Sequence, residues 1–263
     1  MSIPVLMYHH VNNHVGDLVT ITPQVFESQM RFLKESGFYT LTLDDLLSYI
    51  RGRHDIPKKS VVITFDDGYL DNYIHAFPIL KQYNLKASIF IVVSWVEGAS
   101  LKEQRNEHKV DIPTHRESKE FIRREKPYKS IINWKMIKEM QGSGLVEFYS
   151  HTMTHSRCDN ILEGELKVEL KASKDVLEDR LGRMSPYLCW PWGYFNGFGV
   201  DMAKEAGYKA LFTTKPGVVR KGTDPFYIDR IVVKNKVGWF KRQIRIYTSP
   251  FASKLYLRIK GKV

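Results

Sequence analysis

The sequence predicts an α/β fold in which a parallel sheet closes into a barrel. Apolar runs of strand length alternate with helix-like segments along most of the 263 residues. The run Val61–Phe65 is β-branched and almost continuously apolar, which is typical of a strand covered on both faces. Polar residues follow several of these strands, at the edge where parallel α/β folds place their sites. We therefore expect one barrel domain over residues 1–233.

The individual elements follow from strand-like runs and helix start signals. Thr22 is a good N-cap and is followed by Pro23, so the first helix begins there and ends at Gly37. Thr42 and Asp45 mark the start of a second helix. Further helices are expected near residues 71–83, 134–141, 160–181 and 198–206. The expected strands are Val5–Tyr8, Val61–Phe65, Ala87–Val93, Val146–Ser150, Tyr187–Trp190, Ala210–Thr213 and Ile228–Val233.

The composition excludes several classes of protein. Hydrophobic residues make up 43% of the chain and charged residues 26%, unlike a disordered, collagen-like or coiled-coil protein. Two cysteines are too few for a disulfide scaffold or a four-cysteine zinc cluster. No apolar run reaches about 18 residues, so no transmembrane helix is expected. Residues 1–10 lack the pattern of a signal peptide, so we expect a cytoplasmic protein if Met1 is the true start.

The positive charge is concentrated at the C-terminus. The net charge is +11, and residues 234–263 hold nine Lys or Arg and no acidic residue, so the remainder carries +2. This favours a local anionic partner, and no nucleic-acid motif is visible. Phe240, Ile244, Tyr247 and Phe251 recur at helical spacing among the basic residues. The segment fits either an anionic membrane surface or a helix that packs on the barrel with a solvated basic face.

Residues 97–130 interrupt the alternation of strands and helices. They are polar and charged, include His108 and His115, and follow a strand. We expect an inserted loop region that overhangs the strand ends and shapes access to the site, with disorder as the alternative.

Two adjacent carboxylates follow the strand Val61–Phe65. Asp66 and Asp67 precede Gly68, which permits a sharp turn. Adjacent residues at a strand end can point in different directions, so one carboxylate can bind a metal while the other faces a substrate. A simple Asp-Gly turn is the alternative.

A pair of histidines follows the strand Val146–Ser150. His151 and His155 can reach one metal ion if their segment forms a helical turn. One buried and one exposed structural histidine is the alternative. Together with Asp67 they would leave coordination positions for water, as in a catalytic Zn²⁺ or Fe²⁺ site.

Two further strand ends carry polar or aromatic candidates. Trp190–Asn196 places aromatic residues around Pro and Gly, which suits a sugar ring, and a backbone N–H there can face an oxyanion. Core packing is the alternative, above all for Trp190. His9 ends the first strand and is a candidate proton carrier, with a structural histidine as the alternative.

Together these segments resemble the polysaccharide deacetylase family (carbohydrate esterase family 4) over about residues 3–233. Thr64–Gly68 resembles its first motif, Ser150–His155 its second and Pro191–Gly193 its third. The start Leu6–His9 is similar to a permuted branch that includes poly-N-acetylglucosamine deacetylases. The resemblance implies a distorted (β/α)7-type barrel, here with an inserted loop region and a basic C-terminal tail. It also implies metal-dependent removal of acetyl groups from N-acetylated sugars.

The resemblance assigns a metal site and a general base. Asp66 is the expected base, and Asp67, His151 and His155 are the expected metal ligands. We expect Zn²⁺, with Co²⁺, Ni²⁺ or Fe²⁺ as alternatives. The metal would activate water and polarise the amide carbonyl.

The other expected roles concern proton donation and substrate contact. His9 is the expected general acid, and the backbone N–H of Trp192 the expected oxyanion donor. Tyr69, Pro191 and Tyr194 are expected to contact the substrate.

The chain departs from the family pattern at two places. Many members carry an arginine where this chain has Cys189, and many carry a catalytic histidine near the C-terminus, whereas this chain has no histidine after His155. In the permuted branch the acid lies on the first strand, at His9. Arg230 could return a guanidinium to the site and orient Asp66, with a surface ion pair as the alternative.

The expected substrate is an N-acetylhexosamine of a cytoplasmic-face saccharide, such as a lipid-linked sugar or a lipopolysaccharide precursor. Membrane proximity of residues 234–263 would favour the lipid-linked sugar. The alternative is a non-catalytic saccharide- or membrane-binding descendant, which the presence of Asp66, Asp67, His151 and His155 opposes.

Overall fold

The computed structural model describes residues 1–101 and 111–259 and is built around one curled parallel sheet. The strands are β1 (Val5–Tyr8), β2 (His10–Val11), β3 (Thr20–Ile21), β4 (Tyr39–Thr40), β5 (Ser60–Asp67), β6 (Ala87–Ile91), β7 (Val146–Ser150), β8 (Tyr187–Cys189), β9 (Ala210–Phe212) and β10 (Ile231–Val232). The main sheet follows the order β10-β1-β5-β6-β7-β8-β9, β4 also pairs with β5, and β2 and β3 form a small second sheet. This confirms the predicted α/β class.

One short segment joins the two edges of the main sheet. Ile228 forms a parallel bridge with Phe212 of β9, and Ile231 of β10 pairs with Leu6 of β1. The predicted strand Ile228–Val233 forms regular structure only at Ile231–Val232, because its start pairs with β9 and its end with β1. The sheet thereby closes into a distorted barrel.

The helices surround this barrel. They are α1 (Pro23–Glu35), α2 (Leu43–Ile50), α3 (Phe77–Tyr83), α4 (Val93–Ser100), α5 (His115–Arg123), α6 (Trp134–Gly142), α7 (Glu163–Lys167), α8 (Ser173–Leu181), α9 (Gly197–Glu205), α10 (Val237–Thr248) and α11 (Pro250–Ile259). Thr42 and Asp45 form the capping box that starts α2. A π-helical turn, Asn72–Ala76, precedes α3, and another, Val168–Ala172, joins α7 to α8. The helix predicted near residues 160–181 is therefore present from Glu163 to Leu181, with a π-helical turn in its middle.

Strand β5 positions the site. All eight of its residues are buried, and it pairs with both β1 and β6. Val61 and Ile63 enter one core cluster and Val62 another, as the alternation of side chains along a strand requires. Burial on both faces explains the continuous apolar run, and the two carboxylates stand where that run ends.

The region predicted as an inserted loop contains ordered helices. Residues 97–100 complete α4, and α5 begins with a capping box between Thr114 and Glu117. A 3-10 turn follows at Pro127–Lys129. Residues 102–110, including His108, lie outside the described residues. The helices of this region were missed because their few apolar residues gave a weak periodic pattern.

The basic C-terminal segment forms α10 and α11. Phe240, Ile244 and Tyr247 are buried and share a cluster with the barrel core. The ring of Phe240 meets that of Phe32 in α1 edge-on, with 6.2 Å between centroids. Of the two alternatives for this segment, α10 therefore follows the second: it packs on the barrel. In α11, by contrast, Phe251 is 80% exposed.

Helix α11 lies at the amino-terminal end of the barrel strands. The hydroxyl of Ser253 is 3.4 Å from that of Ser2, and the guanidinium of Arg220 donates to both hydroxyls. Ser2 precedes β1, whereas His9 follows it, so α11 and the carboxyl ends of the strands are at opposite ends of the barrel.

Across the described ranges, every helix is too short or too polar to span a bilayer.

Candidate active site

The two carboxylates at the end of β5 diverge because of an unusual backbone turn. Asp67 has a φ of 73°, in the left-handed region that residues with side chains rarely adopt. Gly68 follows with a φ of 77°, and a Cβ atom there would lie 2.9 Å from Cγ2 of Ile91. Glycine is therefore required, and the turn directs Asp66 and Asp67 to different partners.

Asp67 faces two imidazoles in a buried cluster. Nε2 of His151 and Nε2 of His155 each lie 3.3 Å from Asp67 Oδ1, and the three potential ligand atoms lie within 4.8 Å of one another. Oδ1 makes no hydrogen bond to any described residue. Burial would raise the pKa of Asp67, but the neighbouring histidines, His155 foremost, hold it well below its usual range. An ionised oxygen and two imidazole nitrogens fit a divalent metal ion.

The ring of His151 is oriented by a hydrogen bond to the backbone. Its Nδ1 donates to the backbone carbonyl of Cys189 at 2.8 Å. Because a carbonyl can only accept, Nδ1 carries a proton, and Nε2 is the nitrogen that faces the cluster and is free to offer a lone pair when the ring is neutral.

The histidine pair does not lie on the helical turn that its spacing predicts. Residues 151–155 form an irregular loop in which Thr152 and His155 both have a φ of 66°. Glu169, in the π-helical turn after α7, anchors this loop: its carboxylate accepts the N–H groups of Met153 and Thr154 at 2.9 Å each and the Thr154 hydroxyl. The four-residue spacing brings the imidazoles together through this anchor rather than through helix geometry.

Asp66 forms a two-point ion pair with Arg230. The guanidinium donates to both carboxylate oxygens at 2.7 Å, and Arg230 is fully buried, which rules out the surface ion pair. Its Nε also donates to the carbonyl of Thr213 at 2.8 Å. Burial would raise the pKa of Asp66, but the guanidinium outweighs this and holds it below its usual value. The carboxylate is thus ionised and fixed in orientation.

Cys189 also contacts Arg230. Its sulfur accepts from Arg230 Nη2 at 2.9 Å, so the small side chain at this position faces the guanidinium that arrives from residue 230. Asp66, His151 and Cys189 also cluster closely enough to hold a metal. That second cluster already contains the positive charge of Arg230, which leaves no role for a cation there.

His9 lies beside Asp66. Its Nε2 lies 3.8 Å from Asp66 Oδ2, its side chain is 19% exposed, and it lines the cavity described below. Asn72 donates to its backbone carbonyl at 2.7 Å and so fixes the chain there. Burial lowers the pKa of His9, against the opposing influence of Asp66 and Asp67.

The two tryptophans that follow β8 differ: one is a core residue and the other lines the cavity. Trp190 is fully buried, whereas Trp192 is 51% exposed and its ring meets that of His155 at 4.9 Å between centroids. Trp192 has a φ of 59°. At Gly193, with a φ of 72°, a Cβ atom would lie 2.0 Å from Oγ1 of Thr214. This close approach fixes the turn that presents Trp192.

Three predicted substrate contacts have different positions. Tyr69 lines the cavity, is buried, and has no hydrogen-bond partner for its hydroxyl among the described residues. Pro191 is buried beneath the turn, and the Tyr194 ring packs under the guanidinium of Arg157 at 3.8 Å. Neither Pro191 nor Tyr194 lines the cavity, because Pro191 is buried and Tyr194 packs against Arg157.

The site opens into a cavity of about 470 Å³. Its lining comprises His9, Val19, Asp66, Asp67, Tyr69, Trp95, His115, Lys119, Ile122, Arg123, His151, His155, Trp192 and Thr214. Helix α5 supplies one wall, which agrees with the expectation that the inserted region shapes access. Trp95, whose ring lies 5.1 Å from that of His155, was not predicted. Its place in an apolar run resembles that of an ordinary core residue.

Comparison with known proteins gives consistent matches. A sequence model described as polysaccharide deacetylase matches residues 53–211, more than half of the chain. YxkH of Bacillus subtilis (strain 168) is 28% identical over 232 residues, which cover 88% of this chain and 71% of the relative. The poly-beta-1,6-N-acetyl-D-glucosamine N-deacetylase of Staphylococcus aureus (strain MSSA476) is 28% identical over 224 residues, covering 82% and 68%.

A solved structure shares the whole fold. The deacetylase PplD of Streptococcus pyogenes, determined in complex with acetate, superposes with a TM-score of 0.78 at 24% identity, covering 95% of this chain and 99% of that one. Since the family match spans most of the barrel that carries the paired carboxylates and histidines, this chain belongs to the polysaccharide deacetylase family of hydrolases.

Proposed function

We propose that this chain is a metal-dependent hydrolase that removes the N-acetyl group from an N-acetylhexosamine residue of a saccharide and releases acetate. The observation that carries the proposal is that the two adjacent carboxylates at the end of β5 have different partners. Asp67 faces two imidazoles, and the adjacent Asp66 is held ionised by Arg230 in the same cavity. The name of the Staphylococcus aureus relative supports an N-acetylglucosamine-containing substrate.

Asp67, His151 and His155 would hold the metal. A divalent cation there supplies Lewis acidity for the attack of water on the acetamide carbonyl. We propose Zn²⁺, and two imidazoles with one carboxylate also suit Co²⁺, Ni²⁺ or Fe²⁺.

Proton transfers are assigned to Asp66 and His9. Asp66, kept ionised by Arg230, takes a proton from the attacking water. As the carbon–nitrogen bond breaks, His9 in its protonated form gives a proton to the departing sugar amine. His9 Nε2 lies 3.8 Å from Asp66 Oδ2 and both residues line the cavity, so the proposed acid and base can reach one acetamide group.

The oxyanion is assigned to the turn at Trp192. Its backbone N–H is the proposed donor, in a turn closed by the N–H groups of Gly193 and Tyr194, which bond to earlier carbonyls at 3.0 Å. The Trp192 ring at the cavity wall offers an apolar face to the sugar.

We also propose a cell-envelope saccharide at the cytoplasmic face as the substrate, with α11 contacting an anionic membrane. Phe251, Leu255 and Ile259 are 80%, 50% and 72% exposed at a spacing of four residues. Lys254 and Arg258 accompany them on the same helix. Exposed apolar side chains beside basic ones suit the boundary of an anionic bilayer.

The position of α11 restricts this membrane proposal. It lies at the amino-terminal end of the strands, whereas the cavity lies at their carboxyl end. A bilayer held by α11 is therefore separated from the cavity by the length of the barrel. We expect a long saccharide to reach the cavity more readily than a single sugar attached to a lipid in that bilayer.

Acetate release by the Zn²⁺-loaded protein tests the function. The substrates are β-1,6-linked N-acetylglucosamine oligomers and undecaprenyl-linked N-acetylhexosamine, with Asp66→Asn as the matched variant. We expect release from a saccharide by the parent protein, and loss of release with retained metal in Asp66→Asn. Metal binding without release from either substrate would contradict the proposal and favour a saccharide-binding protein without catalysis.

A further inference from the structure

A buried chain of three polar side chains leads from the edge of the barrel to helix α5. Asp71 Oδ2 lies 2.6 Å from His10 Nδ1, and His10 Nε2 lies 3.1 Å from His115 Nδ1. Asp71 and His10 are each 1% exposed. The proposed deacetylation steps use none of these residues, yet burying such polar groups is costly unless their hydrogen bonds are satisfied.

The surroundings of Asp71 determine which nitrogen of His10 carries a proton. The carboxylate accepts three further hydrogen bonds, at 3.2, 2.8 and 2.9 Å, from the N–H of Val11 and the amides of Asn12 and Asn72. An ionised carboxylate is an acceptor only, so His10 Nδ1 is a donor as well. When the His10 ring carries only this proton, its Nε2 accepts and His115 Nδ1 is the donor between the two imidazoles.

In that arrangement His115 presents its other nitrogen, Nε2, as an acceptor. The ring is half-buried and lines the cavity, and Nε2 makes no hydrogen bond within the described part of the chain. Burial, reinforced by Lys119, lowers the pKa of His115 to about 4, so the ring is neutral at physiological pH. The capping box of Thr114 and Glu117 fixes the start of α5 and hence the position of the ring.

The other contacts of His10 couple it to a second cavity residue. Its ring stacks on that of Tyr69, with 3.6 Å between centroids. Tyr69 and His115 both line the cavity, and their rings meet edge-on at 6.1 Å. His10 thus supports two side chains of the cavity without lining it.

We propose that His115 determines specificity by accepting a hydrogen bond from a hydroxyl group of the sugar, and that His10 and Asp71 position it for this role. A hydroxyl group suits this neighbourhood because it donates to a neutral acceptor and carries no charge beside Lys119. The inference rests on the proposed function, which makes the ligand a saccharide.

Kinetics of two His115 variants test the inference. For acetate release from the β-1,6-linked N-acetylglucosamine oligomer, we expect His115→Ala to raise KM about tenfold and to change kcat less than about threefold, as for one lost hydrogen bond in binding. His115→Gln, whose amide oxygen also accepts, should recover most of the affinity. Arg116→Ala, at an exposed neighbour on α5, is the control and should leave both parameters unchanged.

Binding without turnover separates this inference from the proposed function. Calorimetry on Zn²⁺-loaded Asp66→Asn protein should give a Kd for the same oligomer that weakens about tenfold when His115→Ala is added. An unchanged KM and Kd in a protein that releases acetate would overturn the role of His115 alone. A selective fall in kcat would overturn it too, since His115 would then act in the chemistry. Neither binding nor release by the parent protein would overturn both proposals.

Discussion

The guanidinium of Arg230 meets both carboxylate oxygens of Asp66 at 2.7 Å, although the residues stand 164 positions apart in the chain. Arg230 arrives from the segment that closes the barrel, and Asp66 from the central strand β5. The ion pair therefore links the last part of the barrel to its middle, next to the proposed metal ligands.

Loss of this ion pair should lower both kcat and the free energy of unfolding. We expect Arg230→Ala to lower kcat at least about 100-fold and the free energy of unfolding by about 3–5 kcal/mol, because it leaves a buried carboxylate without a partner. Arg230→Lys should fold better but remain impaired, since an ammonium cannot make the two-point contact. Steady-state kinetics and denaturant unfolding measure these effects. Arg157→Lys, in the surface pair with Asp159, is the control; full activity in Arg230→Ala would contradict the assignment.

The role of His9 should depend on the leaving group. A sugar amine needs a proton to depart, whereas a nitrophenolate does not. We expect His9→Ala to reduce deacetylation of the oligomer by about 100-fold or more and hydrolysis of 4-nitrophenyl acetate far less. The exposed His54 provides the control, His54→Ala. Equal losses on both substrates would argue against proton donation by His9.

Glu169 should control metal affinity without touching the metal. Glu169→Gln removes the charged acceptor that holds the loop between His151 and His155. We expect metal affinity to fall about 10- to 100-fold, the usual scale for a residue that orients ligands. Competition with a chelator measures this, with the exposed Glu163→Gln as the control. Excess metal should restore most of the activity of Glu169→Gln, and an unaltered affinity would show that the loop needs no anchor.

Gly193 should tolerate no side chain. Gly193→Ala places a methyl group 2.0 Å from Thr214 Oγ1 on a residue with a φ of 72°. We expect a loss of stability of about 1–3 kcal/mol and a lower kcat as the turn at Trp192 shifts. Adding Thr214→Ala should recover part of the loss. Gly142→Ala, on α6 with open space around it, is the neutral comparison; wild-type stability in Gly193→Ala would mean that the turn relaxes freely.

Helix α11 should bind anionic vesicles through its exposed stripe. We expect the triple serine variant of Phe251, Leu255 and Ile259 to lose about tenfold or more of its binding to phosphatidylglycerol vesicles. Acetate release from soluble oligomers should not change, because the stripe and the cavity are at opposite ends of the barrel. Leu162→Ser, at an exposed leucine elsewhere, is the control for sedimentation with vesicles. Undiminished vesicle binding by the triple variant would remove α11 from the membrane proposal.

The sequence predicted the parts of the fold that depend on local patterns. Strand β7 has the predicted bounds, and the Thr42 capping box starts α2 as expected. The strand-end rule also located the Asp67 and His151 pair, because parallel strands bring their carboxyl ends to one edge.

Other parts depend on contacts that no local pattern records. Glu169 has the appearance of a solvated helical glutamate, and only the tertiary fold brings it to the histidine loop. His10 follows His9 directly and was passed over, since its partner Asp71 lies 61 positions away. For Arg230 the sequence left two alternatives open, and only the closed barrel distinguishes a buried ion pair from a surface one.

The segment from Ile228 to Ile231 couples completion of the fold to the proposed catalytic activity. These few residues bridge both edges of the sheet, and Arg230 between them is the partner that keeps Asp66 ionised. During synthesis this segment leaves the ribosome after Asp67, His151 and His155, the proposed metal ligands. A nascent chain in which the histidines lie together but the sheet is still open would lack Arg230 beside Asp66. We therefore expect hydrolytic activity to begin only when residues 228–231 pair with both edges of the sheet.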